Sequence, residues 1–159
     1  MDAPVFQREH YRDVWDELVL LAERHYRETT TDPDQPLSLR RIRYEALDEA
    51  GALRLYTARV GGAMVGYDSL VVGQNHAGLI ANSDGLYVEK AYRGDLSIAL
   101  MRFTERDLLA TGVIRILRTT KAPGVSQAVD HGRLLERLGY SMTEVTYSKR
   151  LAQPVLEFA

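Results

Sequence analysis

Between Asp13 and Tyr26 the apolar residues Val14, Trp15, Leu18, Leu21, Ala22 and Tyr26 recur at spacings of three and four, which predicts a helix with one apolar face. The run that follows, ETTTDPDQPLS, predicts the longest loop in the chain. Pro33 and Pro36 there lack a backbone donor and push their predecessors out of helical conformation. Ser38 then reads as the cap of a second helix over roughly 39–50, with Leu39, Ile42, Ala46, Leu47 and Ala50 as its stripe and Gly51 as its stop. LRLYTARV and AMVGYDSLVVG, separated by Gly61-Gly62, predict two strands and a type I′ hairpin, because both turn residues need positive φ.

A third strand is expected over 79–90, with Gly85 inside it. Glycine in a strand interior signals a bulge or a close backbone approach. Residues 95–111 predict a helix with an apolar face from Leu96, Leu100 and Phe103, ended by Gly112. VIRILRTT follows as a buried strand. Strand, crossover helix and strand make a βαβ unit, so 79–90 and 113–120 are expected to be parallel neighbours in an otherwise antiparallel sheet. A last helix over 126–138, stopped by Gly139, and a closing strand over 140–150 with Val145 and Tyr147 in period two complete the expected order.

Composition narrows the classes. The chain has 159 residues, the size of one domain, and 45% hydrophobic residues against 26% charged is a globular mix rather than a disordered one. A formal charge of -2 argues against a nucleic-acid binder that relies on a broad basic field. With no cysteine, disulfides, thiolate metal sites and cysteine nucleophiles are excluded, which fits a reducing cytoplasm. MDAPVFQREHYRDVW carries charges where a secretory signal needs an apolar stretch, and no segment has the roughly 18 apolar residues of a membrane span, so a cytoplasmic protein is expected. No HExxH and no carboxylate–histidine cluster points to a metal, and His10 and His76 read as surface residues. No G-x-G-x-x-G or G-x-x-x-x-G-K-[ST] supports a nucleotide-binding α/β fold.

The chemistry concentrates where the third strand, LYVEKAYRG, runs through Arg93-Gly94 into a helix. A helix N-terminus presents free N–H groups and the positive end of its dipole, which suits a phosphate ester. The hairpin carrying VGY, this strand, the helix and strand after it, LLERLGY, and the final YSKRL together resemble the GNAT superfamily of N-acetyltransferases over about residues 12–151. The runs ERHYRE, EAGALRLYTAR, DGLYVEKAYRG and LLERLGYSMTEVTYSKRL are similar to small acetyltransferases of bacteriophage and prophage genomes. The resemblance implies a single α+β (mixed α/β) domain over 1–159. Its central sheet would be mixed, mostly antiparallel and splayed between the fourth and fifth strands, with about four flanking helices.

It also implies a cofactor, acetyl-CoA, and an acceptor, a primary amine of a small molecule or a protein. The family's R/Q-x-x-G-x-G/A motif falls on Arg93, but Leu96 and Ile98 stand where small residues are usual. Backbone amides hold the anion, so Arg93, Gly94, Asp95, Leu96, Ser97, Ile98 and Ala99 are the expected pyrophosphate loop, with Leu96 pointing into the sheet and Asp95 a helix cap facing away. Tyr87, Val88 and Glu89 would take the pantetheine arm along the splayed strand edge.

Acetyl transfer to an amine needs a base and an acid. Counting back by twos from Val88 puts Asp84 and Asn82 on one face, so Asp84 is the candidate base, although Ser-Asp-Gly is also turn chemistry. The family's usual acid, a tyrosine on the last helix, is replaced by Leu135. That leaves Ser126, His131 or Tyr147 to act, or an unassisted thiolate. His25 and Glu28 close the first helix, beside the loop that borders the acceptor pocket in such proteins, or are simply a solvated helix end. Leu96, Ile98 and Leu135 also admit a catalytically silent module that binds an acyl-CoA or a protein partner. The apolar tail residues Val155, Leu156 and Phe158 are placed to cover or exchange with a neighbour in a homodimer.

Overall fold

The computed structural model describes residues 2–121 and 131–152. Its elements are β1 (Val5–Glu9), α1 (Tyr11–Thr29), α2 (Arg41–Glu49), β2 (Leu53–Val60), β3 (Ala63–Asn75), β4 (Gly78–Val88), α3 (Asp95–Ala110), β5 (Val113–Leu117) and α4 (Gly132–Arg137), with one 3₁₀ turn at Lys90–Tyr92. The five strands lie in the order β1-β2-β3-β4-β5. The first three pairings are antiparallel and β4–β5 is parallel, the mixed sheet expected from the βαβ unit.

Alternation along the strands sends neighbouring residues to opposite faces. Leu55 joins Tyr11, Val14, Leu18, Leu21, Leu53, Met64, Tyr67 and Tyr87 in a cluster under α1 and α2. Tyr56 joins Ala58, Val65, Leu70, Ala81, Val88, Leu100 and Leu108 in a cluster under α3. The Gly61-Gly62 turn has φ of 57° and 83°, the two left-handed positions a type I′ hairpin requires.

Four sequence expectations are revised. Val5–Glu9 is a strand paired to β2, from Val5↔Arg59 to Glu9↔Leu55; five residues with charges at Arg8 and Glu9 carry too little periodicity to announce it. The second helix starts at Arg41, capped by the Arg40 carbonyl and not by Ser38. It packs the half-buried Tyr44 and Leu47 against the core while Ile42 is 78% exposed, because Tyr44 stacks on Tyr11 at 4.7 Å and fixes the helix rotation.

Residues 141–150 form no strand, and Val145 and Tyr147 are 68% and 91% exposed. Two alternating apolar positions bury too little to impose a register. Side-chain anchors take over instead: Tyr140 bonds to Glu105 and Arg118, and Arg150 bonds to Asp32 and to Gln35 in the proline loop. Of the predicted last helix, Gly132–Arg137 is described, with Gly139 at φ 92° ending it. Ser126 and the tail residues Val155, Leu156 and Phe158 lie outside the described residues.

Candidate active site

The site is built around an irregularity in β4. Ser69 of β3 pairs with Gly85 and Leu70 pairs with Ser83, so Asp84 is an extra residue with no partner. A bulge shifts the side-chain parity beyond it. Val88 and Leu86 therefore pack toward α3, while Asp84 and Gly85 face the groove beneath α1 and α2 with Tyr67. The count by twos from Val88 to Asp84 and Asn82 consequently fails: Asp84 lies on the face opposite Val88. Gly85 belongs to the bulge, but a methyl there would meet Tyr67 at 3.4 Å, an ordinary contact, so no steric demand explains the glycine.

β5 parts from β4 at the same level. The parallel register ends at Asn82↔Leu117, whereas β4 continues to Val88 against β3. Among the described residues, Ser83–Val88 have a strand partner on one edge only. This is the gap expected between the fourth and fifth strands.

A buried ion pair sits where β5 turns away. Arg118 donates from Nη1 to Asp68 Oδ1 at 2.9 Å and from Nη2 to Oδ2 at 2.7 Å, and the two side chains are 3% and 0% exposed. Burial opposes the guanidinium charge, but the facing carboxylate outweighs it and holds Arg118 cationic above its usual range. Arg118 Nε also donates to Tyr140 Oη at 3.2 Å, and Tyr140 donates to Glu105 Oε1 at 2.6 Å. The network ties the end of β5 and the chain after α4 to the middle of the sheet and to α3. No motif pointed to it, yet a lone Asp inside VGYDSLVV is a signal in itself, since a buried charge requires a partner.

On the α1 face, His25 Nδ1 and Tyr67 Oη are 2.8 Å apart, and the His25 ring stacks on Tyr87 at 5.3 Å. Burial lowers the His25 pKa. The Glu28 carboxylate opposes this in part, and the charges of Arg93, His131 and Lys121 add to the depression. The ring is therefore neutral near pH 7. Tyr87 Oη donates to Glu28 Oε1 at 3.0 Å, and Arg93 Nη2 donates to Glu28 Oε2 at 2.5 Å. Burial raises the Glu28 pKa, but these two hydrogen bonds outweigh it and the net shift is downward. Asp84 Oδ2 accepts from Tyr44 Oη at 3.2 Å, and burial together with the Asp84 charge pushes the Tyr44 pKa up to about 12. His25, Tyr44, Tyr67 and Asp84 all line one groove of about 330 Å³ between α1, the proline loop, α2 and the bulge.

The expected anion loop is present with altered roles. Arg93 turns back from it: Nε donates to the Val88 carbonyl at 2.8 Å, and the guanidinium lies 5.4 Å over the Tyr87 ring. Glu89 pairs with Arg24 through its side chain, and its amide bonds to Val65 O. Leu96 packs into the core as anticipated. Asp95 is the first helical residue, because Gly94 takes the cap position. Asp95, Ile98 and Ala99 line a groove on the β1 side of α3 with Phe6 and Arg102. Ile98 N bonds to Gly94 O, and among the described residues the amides of Asp95, Leu96 and Ser97 have no acceptor. These free amides and the unpaired edge of β4 are what a phosphate ester and a peptide-like arm require, so the residues present fit coenzyme A. His131 is exposed at the start of α4, and Asn82 is exposed at the last β4–β5 pair.

Gly94 carries a backbone requirement of its own, with φ 99° and ψ -119°, a region L side chains rarely enter. A Cβ there would touch nothing within 4 Å, so the cost of Gly94→Ala is purely conformational, about 1–3 kcal/mol. Urea unfolding should read it, with an unchanged m-value.

Among the described residues no group of three or more His, Asp or Glu could hold a metal ion, and no helix is long and apolar enough to cross a membrane. No family model matches the chain, and no curated protein matches it. Solved structures do. A ribosomal-protein-alanine N-acetyltransferase from Brucella melitensis biovar Abortus 2308 aligns with a TM-score of 0.70 at 19% identity, over 94% of this chain and 100% of that one. A glucosamine-6-phosphate N-acetyltransferase from Arabidopsis thaliana aligns with a TM-score of 0.68 at 12% identity, over 95% and 100%. An aminoglycoside N-acetyltransferase in complex with coenzyme A aligns with a TM-score of 0.68 at 12% identity, over 96% and 97%. These three proteins act on different acceptors and share one architecture, so the likeness carries the framework and not the substrate: the chain has the GNAT fold of N-acetyltransferases.

Proposed function

We propose that this chain is an acetyl-CoA-dependent N-acetyltransferase acting on a primary amine. The observation that carries the reading is the succession of three features along β4 and into α3. β4 and β5 separate beyond Asn82 and Leu117, the bulge turns Asp84 into the acceptor groove, and three amides stand free at the start of α3. The finer likeness to phage and prophage acetyltransferases rests on the quoted sequence runs, and the cytoplasm is the proposed setting, which a cysteine-free chain suits.

When bound, acetyl-CoA supplies an acetyl thioester with a thiolate as leaving group. The amides of Asp95, Leu96 and Ser97 would hold its pyrophosphate, and the edge of β4 between Ser83 and Val88 its pantetheine arm, whereas the Glu89 amide is taken by Val65 O and the Val88 carbonyl by Arg93. Asp84, open to the groove, attracts the acceptor as an ammonium ion. His25 is kept neutral by burial and is better suited than Asp84 to take the proton. With the ring proton on Nδ1 and donated to Tyr67 Oη, Nε2 presents its lone pair. Glu28 and Arg93 brace the Tyr87 ring on which His25 stacks.

The test is a thermal-shift titration with coenzyme A. At 100-fold excess over its dissociation constant, stabilisation of about 2.7 kcal/mol is expected. Release of free thiol from acetyl-CoA across an amine panel then reads turnover. A shift without thiol release would favour the silent acyl-CoA-binding module. Absence of both would end the transferase reading.

A further inference from the structure

The lining of the acceptor groove is selective in a way that acetyl transfer alone does not demand. Five of its lining side chains are aromatic: Tyr11, Trp15, Tyr26, Tyr44 and Tyr67. Among the described lining residues Asp84 is the one carboxylate, and there is no lysine or arginine. At about 330 Å³ it lies at the small end of ligand sites. A polycationic amine needs several carboxylates to offset its desolvation, and a phosphorylated amine needs a cation inside the groove. One carboxylate among aromatic rings matches one ammonium group on an apolar or aromatic body. The Trp15 ring already accepts one cation: the Arg41 guanidinium lies 5.6 Å from its centre, itself tied to Glu45 at 2.7 Å.

We propose that the groove takes a monoamine with a single apolar or aromatic body, its ammonium directed to Asp84 and its body against Trp15, Tyr44 and Tyr67. This rests on the transferase reading of the same groove, naming the substrate class within it. It is tested without acetyl-CoA. Trp15 is the chain's only tryptophan and lines the groove, so its fluorescence reports occupancy directly. The 159-residue chain is titrated with 2-phenylethylamine, the neutral 2-phenylethanol, spermidine as a polycation and O-phosphoethanolamine as a phosphorylated amine.

2-Phenylethylamine is expected to saturate the signal about tenfold more tightly than each of the others, the size of one charge-assisted hydrogen bond. Asp84→Asn should abolish its advantage over 2-phenylethanol while leaving 2-phenylethanol binding intact, which also reports that the variant is folded. Tighter binding of spermidine or O-phosphoethanolamine overturns the proposal, as does a preference that survives Asp84→Asn. The two readings separate cleanly: selective binding without acetyl transfer supports this site and removes the transferase, whereas acetylation of amines without the preference keeps the transferase and removes this site.

Discussion

Asp68→Ala is expected to destabilise the protein by about 3–5 kcal/mol, the cost of leaving a buried charge without its partner. Arg118 is nearly inaccessible and bonds to Asp68 through two parallel hydrogen bonds. Removal of the carboxylate therefore strands a guanidinium that water does not reach, with Tyr140 as its remaining partner. Replacing both residues together has the opposite logic. Asp68→Leu with Arg118→Leu removes two desolvated charges at once and is expected to restore most of the lost stability or to exceed the parent. The stable double variant is nevertheless expected to bind coenzyme A more weakly, because the pair holds the end of β5 where the β4–β5 register stops. Equilibrium urea unfolding and the coenzyme A thermal shift measure the two effects. A loss below about 1 kcal/mol for Asp68→Ala, the level of an exposed pair, would show that Arg118 finds solvent and that the pair does not set the gap.

The second large effect is on rate. His25→Gln is expected to lower kcat/KM by about 10²–10⁴, the usual contribution of a positioned base, while a body such as 2-phenylethanol still binds the groove. Tyr67→Phe, which removes the partner of Nδ1 but leaves the ring, should fall between the parent and His25→Gln. The pH dependence follows from the direction of the shift. The folded His25 pKa lies below the ordinary 6.5, so between that lowered value and 6.5 the unfolded chain binds the extra proton and the folded one does not. Stability contributed by this residue is complete above 6.5 and is lost as pH falls toward the folded value. Activity should likewise rise with pH through the folded value, with its inflection below 6.5. In His25→Gln both the acid limb of the rate profile and that part of the stability loss should disappear. An acid limb that persists in the variant assigns the base to another group, Asp84 first.

Most of the frame was legible because local patterns and tertiary packing agree there. The α1 stripe of Val14, Leu18 and Leu21 is buried as its spacing requires, the double-glycine hairpin adopts its two positive φ values, and the crossover helix makes β4 and β5 parallel. Legibility failed where one side chain outweighed a pattern. Tyr44 on Tyr11 set the rotation of α2 against the Ile42 stripe. The Tyr140 and Arg150 anchors kept 141–150 out of the sheet despite the alternation at Val145 and Tyr147. The site was half legible. His25, Glu28, Asp84 and Tyr87 do converge, but Arg93 was assigned to an anion and instead closes on Glu28. Tyr44, Tyr67 and the Asp68–Arg118 pair carry no motif and become visible only as neighbours.

The amino-acid sequence alone determined the first helix, the hairpin and the crossover from β4 through α3 to β5, since these depend on periodicities and backbone preferences confined to a few adjacent residues. Tertiary structure decided which face Asp84 meets, where β5 leaves β4 and what Arg93 holds. Each of those depends on residues tens of positions apart: the β3–β4 register places the bulge, Asp68 reaches Arg118 and Glu28 reaches Arg93. A sequence pattern records which side chains need a partner, and only the folded chain selects the partner that distance and desolvation permit.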